Sequence, residues 1–155
     1  MQTDLNAMKF NFVKPTLTFL IIGVFIPGFT AIVLLGFQML LTVIGIECTN
    51  AWTVIWTITT AAAIILPFLF LRQIISLPKE KLGILKTRLI VFNALEYIFI
   101  QSSLAPLFTN GRTLCYGAGG QNGLELIFTA WLALPLLLGF SLFLNYRWAR
   151  KNILE

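Results

Sequence analysis

Four long apolar stretches constrain this chain more than any other feature of its sequence. They run over residues 16–46, 52–71, 89–108 and 124–146. A helix needs about 20 predominantly apolar residues to cross the hydrocarbon core of a bilayer, and each stretch is long enough. Of the 155 residues, 58% are hydrophobic and only 11% are charged, which is more apolar surface than a small soluble domain can bury. We therefore predict an all-α integral membrane bundle of four transmembrane helices, forming one domain over residues 1–155.

Each stretch carries one proline, at Pro27, Pro67, Pro106 and Pro135. Proline removes a backbone hydrogen bond and bends a helix, and membrane helices tolerate this where neighbours satisfy the freed carbonyl. The prolines indicate either ordinary kinks or hinges of a transport cycle. The first stretch is longer than one crossing requires, so it is expected to tilt, to kink at Pro27-Gly28 or to project beyond the lipid.

The basic residues predict the orientation. Ten of the eleven Lys and Arg residues flank the stretches on one side, and only Arg112 falls on the other. The ten are Lys9, Lys14, Arg72, Lys79, Lys81, Lys86, Arg88, Arg147, Arg150 and Lys151. By the positive-inside rule both termini and the middle loop are cytoplasmic. The net charge of +5 is then an orientation signal that also contacts anionic lipid, and no nucleic-acid partner is expected.

The composition argues against cofactor chemistry. The chain has no histidine, which removes histidine-based haem, zinc and acid–base sites. Its one aspartate, Asp4, lies in a terminal segment, so a carboxylate-rich metal site is not expected either. We predict no cofactor and no metal.

The two cysteines lie in the two predicted outer loops. Cys48 is in "GIECTNAW", and Cys115 is in "TNGRTLCYGAGGQNG". Because both face an oxidising compartment in this topology, they are predicted to form a disulfide that ties the first pair of helices to the second. The alternative is two unpaired thiols.

The second outer loop is the least membrane-like part of the chain. It runs over residues 109–123 and combines five glycines with Arg112, Tyr116, Gln121 and Asn122. Such residues form adaptable recognition surfaces on loops, so these four are candidate binding residues. A plain flexible connector is the other interpretation.

Tryptophans are expected at two depths. Trp52 and Trp56 fall where the second stretch meets the outer interface, a position that tryptophan favours. Trp131 lies deeper in the fourth stretch and is expected to pack between helices.

The third stretch carries a polar stripe within its apolar run. Asn93, Glu96 and Tyr97 are separated by helical spacing, so they share a face. A charge at this depth is costly and should face the bundle interior with a partner. Glu96 is either a buried carboxyl that fixes helix packing or an acid that binds a proton or a ligand. Its candidate partners are Gln38, Asn145, Arg72 and Arg88.

A short run within this stretch resembles a motif of the membrane-associated proteins of eicosanoid and glutathione metabolism. The run is Arg88…Asn93-Ala-Leu-Glu96-Tyr97, here on the third stretch. Those proteins are four-helix trimers of about this length. The resemblance implies that Arg88, Asn93 and Glu96 would contact glutathione.

The layout over the whole chain resembles that of the colicin A-type immunity proteins. These are four-span inner-membrane proteins with cytoplasmic termini, a basic middle loop and recognition through the membrane and the outer loops. The resemblance implies a non-enzymatic bacterial inner-membrane protein that binds another protein, as an immunity protein or an accessory subunit. Its expected contacts are membrane lipid and either a protein partner or further copies of itself. A glutathione-dependent membrane enzyme and a small proton-coupled transporter using Glu96 are the alternatives.

Overall fold

All the regular elements are helices in the part of the protein described by its computed structural model, residues 11–25, 28–76, 82–116 and 125–154. A 3-10 turn, Ala105–Leu107, is the one departure from α-helix among the regular elements there. The helices are α1 (Val13–Phe25), α2 (Gly28–Val43), α3 (Cys48–Ser76), α4 (Leu82–Leu104), α5 (Gly111–Tyr116) and α6 (Glu125–Leu154). The all-α prediction is confirmed. Lys9, Lys79, Lys81, Gln121 and Asn122 fall outside the described residues.

Three helices are long and apolar enough to cross a membrane: α3, α4 with its 3-10 extension, and α6. The pair α1 and α2 also qualifies when taken together, but their axes differ by 77°. The described chain therefore holds three candidate spans, or four if the bent pair is one span. The predicted kink falls at this break, although Pro27 itself lies outside the described residues.

Local hydrogen bonds explain where the first two helices begin and end. Asn11 Oδ1 accepts from the backbone N–H groups of Val13, at 2.8 Å, and Lys14, at 3.3 Å, which satisfies two free donors at the start of α1. At the end of α2, Gly45 has a φ of +94°. Its N–H bonds to Thr42 O, and the next N–H bonds to Leu41 O, which together form a Schellman motif.

The prolines act differently from one helix to the next. Pro67 lies inside α3 and Pro135 inside α6, so both helices continue through them. Pro106 instead lies in the 3-10 turn that follows α4. The α-helical part of the third stretch ends at Leu104, directly before this turn.

The core forms three layers along the bundle. Buried residues of α4 belong to the basic-end and middle layers, and Ala105, directly after α4, belongs to the disulfide-end layer. The basic-end layer contains Phe12, Phe70, Ile74, Leu85, Leu89, Phe92, Leu144 and Trp148. The middle layer contains Leu20, Tyr97, Ile100, Ala130, Ala133 and Leu137. The disulfide-end layer contains Ala31, Leu34, Trp52, Ile55, Ala105, Leu114 and Leu126. We call the two ends of the bundle the basic end and the disulfide end.

The sides of the bundle are strongly apolar. Large aliphatic and aromatic side chains point outward along every long helix, as an exposed lateral surface does in lipid. Examples are Ile21, Ile32, Ile64, Phe68 and Leu136. Trp131 is 59% exposed on α6, so the expectation that it packs between helices is wrong. Trp52 lies near the start of α3 and is fully buried, and its depth at the interface stays a prediction.

Candidate functional site

The predicted pairing of the cysteines is confirmed. Cys48 begins α3 and Cys115 lies in α5, and the structure brings their sulfurs to disulfide-bonding distance with the Cα atoms 6.0 Å apart. The cysteines are 67 residues apart in sequence. The link therefore attaches α5 to the first turn of α3.

The short helix α5 is held against α3 by close packing as well. A Cβ atom on Gly111 would lie 3.1 Å from Trp52 Cβ and 3.2 Å from Thr49 O, so any larger residue would require α5 and α3 to move apart by a few tenths of an ångström. Leu114, one turn later, is 3% exposed and belongs to the disulfide-end layer. Six residues are too few for a stable isolated helix, so α5 depends on these contacts and on the disulfide.

The start of α5 is capped by its preceding residue. Asn110 Oδ1 accepts from the backbone N–H of Thr113 at 2.8 Å and from the Thr113 hydroxyl at 3.0 Å. Asparagine is a favoured N-cap residue because its side-chain oxygen satisfies a free N–H in the first turn. The cap helps to fix the direction in which α5 leaves the membrane-spanning part of the chain.

The outward side of α5 presents two of the predicted binding residues. Arg112 and Tyr116 are both exposed, and Tyr116 retains 68% of its accessible surface. They are four residues apart, so they are neighbours on one helix face. We call Arg112, Thr113 and Tyr116 the α5 face. Gln121 and Asn122, the other predicted binding residues of this loop, lie outside the described residues.

The polar stripe of α4 faces the bundle interior, and two of its members join α4 to α1. Asn93 Nδ2 donates to Thr16 Oγ1 at 3.1 Å, and Thr16 donates to Phe12 O at 2.9 Å. The Tyr97 hydroxyl donates to Gly23 O at 3.3 Å. Asn93 is 1% exposed and Tyr97 is 3% exposed. Both side chains are therefore engaged in helix packing.

Glu96 lies on the same stripe but is not paired in this way. It is 3% exposed, and its Oε2 atom has no hydrogen-bond partner among the described residues. The two side-chain amide atoms of Gln101 and the hydroxyl of Thr30 also have no hydrogen-bond partner among the described residues. Both residues are fully buried. Buried polar groups in folded proteins are nearly always hydrogen-bonded, so these three positions are unusual.

The side chains expected to meet Glu96 lie elsewhere, so these expectations are wrong. Gln38 Nε2 donates to Cys48 Sγ at 3.1 Å. Asn145 Oδ1 accepts from the backbone N–H of Phe12 at 3.4 Å. Arg88 is exposed and lines a groove between α3 and α4 that Glu96 does not line. Arg72 is also exposed.

Another polar contact in the bundle was not anticipated. Thr59 of α3 and Ser102 of α4 share a hydrogen bond of 2.7 Å, and both are buried. Their signal in the sequence was weak, because serine and threonine are common in membrane helices and bond to their own backbone. The neighbouring Gln101 was visible as a polar residue in an apolar run.

The predicted binding residues thus fall in two separate places. Asn93, Glu96 and Tyr97 lie inside the bundle, and Arg112 and Tyr116 lie on the surface at the disulfide end. Within the described part of the chain, no group of three or more His, Cys, Asp and Glu side chains is placed to hold a metal ion.

Comparison with known proteins gives no relative: no family model, no curated protein and no solved structure matches this chain.

Proposed function

We propose that this chain is a non-enzymatic inner-membrane protein of bacteria that binds another protein, as an immunity-type protein or an accessory subunit. The observation that carries this proposal is the α5 face. A six-residue helix is held in place by a disulfide, a glycine contact and a cap, and it presents Arg112 and Tyr116 to the outside. Tyrosine and arginine are enriched among the residues that dominate binding energy in protein interfaces. Fixing them in advance lowers the entropy cost of binding.

The proposed orientation puts both termini in the cytoplasm and the α5 face outside. Its support is the distribution of charge. The described cations other than Arg112 lie at the basic end or in the segments that lead into it: Lys14, Arg72, Lys86, Arg88, Arg147 and Arg150. A carboxy-terminal fluorescent protein should be fluorescent in cells, and a carboxy-terminal alkaline phosphatase should be inactive, because each folds correctly on one side only. The opposite pattern would invert the proposed orientation.

The two alternatives have unequal support. For glutathione, Arg88 is exposed while Asn93 and Glu96 are buried, so the three residues do not share a surface on one chain. For proton-coupled transport, one observation remains in favour: a buried carboxyl whose Oε2 makes no hydrogen bond with the described residues. Under that alternative, proton flux into liposomes should depend on the protein and should stop in Glu96→Gln.

Photo-crosslinking in cells tests the binding proposal. Benzoylphenylalanine replaces Tyr116 in one variant and Tyr146 in a matched control, since both tyrosines are more than 60% exposed but lie at opposite ends. The proposal predicts a discrete protein adduct at position 116 and none at position 146. Arg112→Glu should weaken that adduct by about tenfold or more, as expected for a central interface residue.

The controls separate a binding face from a general effect on folding. Arg150→Glu makes the same charge reversal at the basic end, and Glu96→Gln changes the interior. Both should leave the adduct at position 116 intact. An adduct that survives Arg112→Glu, or that falls equally in all three variants, would remove the α5 face as the binding site.

A further inference from the structure

An apolar pocket opens sideways from the bundle between α2, α3 and α4. Its volume is about 390 Å³, within the usual range for ligand pockets. Its floor is formed by Leu34, Ile55 and Thr59, which are at most 8% exposed. Phe37 and Ile58 stand at its mouth and are 57% and 62% exposed. The pocket therefore leads from the buried layers to the lateral surface.

The pocket offers a ligand no free polar group. Thr59 is its one hydroxyl-bearing side chain, and that hydroxyl already bonds to Ile55 O at 2.7 Å and to Ser102 Oγ at 2.7 Å. The other lining side chains are Val, Leu, Ile and Phe. A water molecule needs two to four polar partners to occupy a cavity, so this pocket disfavours water and any polar ligand.

An empty pocket of this size is also unfavourable, because the atoms that line it lose their dispersion contacts. Its depth indicates what fills it. Val54 and Thr59 lie about 9 and 17 Å along α3 from Cys48 at 1.5 Å per residue, and half of the hydrocarbon core is about 15 Å thick. With Cys48 taken as the start of the hydrocarbon core, the pocket lies in the half of the core nearest the disulfide end and reaches the midplane.

We propose that this pocket is a lipid site that holds one acyl chain of a phospholipid from that leaflet. The chain lies between α2 and the α3–α4 pair and completes the packing of α2. The site is independent of the α5 face.

A phosphatidylethanolamine with a diazirine halfway along one acyl chain is the probe. The full-length protein is reconstituted with it, illuminated and digested, and each adduct is assigned by mass spectrometry. We expect adducts concentrated on residues 33–41, 54–59 and 95–99. Ile64 and Leu136 are about as exposed as Phe37 and Ile58 but do not line the pocket. The adduct yield at the pocket residues should exceed the yield at these two. Yields that simply follow exposure around the bundle would overturn the proposal.

Matched variants sharpen the test. Val33 lines the pocket, whereas Val43 lies on the same helix, is 83% exposed and does not line it. Val33→Phe should lower the pocket adducts by about tenfold, since added atoms compete with the acyl chain for a fixed volume. Val43→Phe should leave them unchanged.

A second copy of the chain is the competing occupant. Benzoylphenylalanine at Phe37 would then yield covalent dimers while the lipid probe gave no pocket adducts, and that result would refute the lipid site. If Val33→Phe fails to fold, the adduct map of the unmodified protein still decides the question.

Discussion

Loss of the disulfide should release α5 while leaving the spanning helices in place. The change is Cys48→Ser together with Cys115→Ser, and serine keeps an acceptor for the Gln38 Nε2 donor that now bonds to Cys48. Without the link, α5 retains only the packing of Gly111 and Leu114 and the cap from Asn110. A helix of this length is not stable by itself. It should therefore open locally far more often.

The size of the effect follows from the length of chain that the link closes. For a fully flexible loop of 67 residues, the chain-entropy model gives about 4 kcal/mol. In a membrane, individual helices persist without tertiary packing, so α3 and α4 still hold most of that loop. The segment left free runs from residue 105 to residue 115, and the same model then gives about 3 kcal/mol.

Hydrogen exchange measured by mass spectrometry in nanodiscs provides the assay. A loss of about 3 kcal/mol corresponds to roughly a hundredfold faster exchange for amides that exchange through this opening. We expect that acceleration at residues 111–116, and no change at residues 93–97 of α4. Unchanged exchange at 111–116 would show that packing alone holds α5. Equal acceleration in α4 would show that the disulfide supports the whole bundle, and either result would refute the reasoning.

Three further predictions concern single contacts. Gly111→Ala should destabilise α5 by about 1–3 kcal/mol, because the added methyl overpacks against Trp52 Cβ and Thr49 O. The control Gly36→Ala should leave α5 unchanged, since no atom lies within 4 Å of its added methyl. Equal exchange rates at residues 111–116 in the two variants would contradict this prediction. A double-mutant cycle of Asn93→Ala and Thr16→Val, followed by denaturant titration in mixed micelles, should give a coupling of about 0.6 kcal/mol, and zero coupling would exclude their hydrogen bond. Glu96→Leu should lower the free energy of unfolding less than Asn93→Leu does, because Glu96 Oε2 has no hydrogen bond to lose whereas Asn93 bonds to Thr16. The reverse order in the same titration would show that Glu96 has a stabilising partner.

The spanning helices were predictable because their signal is local. Length and apolar content are sufficient to identify α3, α4 and α6, and a proline in the first stretch marked the region where the structure has a break. The angle across that break was not predictable, since it depends on which neighbours α1 and α2 pack against. The prediction of Gln38 and Asn145 as partners of Glu96 failed for the same reason. A helical stripe shows which residues face inward, but the partner helix is decided by tertiary packing.

The helix α5 was missed because its stability is not local. Its sequence, "GRTLCY", lies in a glycine-rich polar loop and has neither the length nor the apolar periodicity of a helix. It folds because Cys115 and Gly111 are joined to the start of α3, more than fifty residues away in sequence. The cysteine pairing was predictable from topology, since both cysteines fall between predicted spans at the same end of the bundle. The helix that this pairing makes possible was not.

The burial of Trp52 could not be predicted, for a related reason. Interface preference is an average over many membrane helices, whereas Trp52 lies where the disulfide folds the loop and α5 back onto the first turns of α3. That cover buries Trp52 completely. The outer loop is thus part of the core at this end.

The two ends of the bundle consequently differ in what they offer to other molecules. At the middle and the basic end, the polar groups Asn93, Tyr97 and Thr16 are engaged in holding α1 to α4. At the disulfide end, Arg112 and Tyr116 have exposed side chains, and the apolar pocket opens on the side of the bundle a short distance along α3. A protein that approached from that side would meet the α5 face first and the lipid beside α2 second. Because the lipid site is independent of the α5 face, Val33→Phe should reduce the lipid adducts and leave crosslinking at position 116 unchanged. A fall in both would show that the two sites serve one partner.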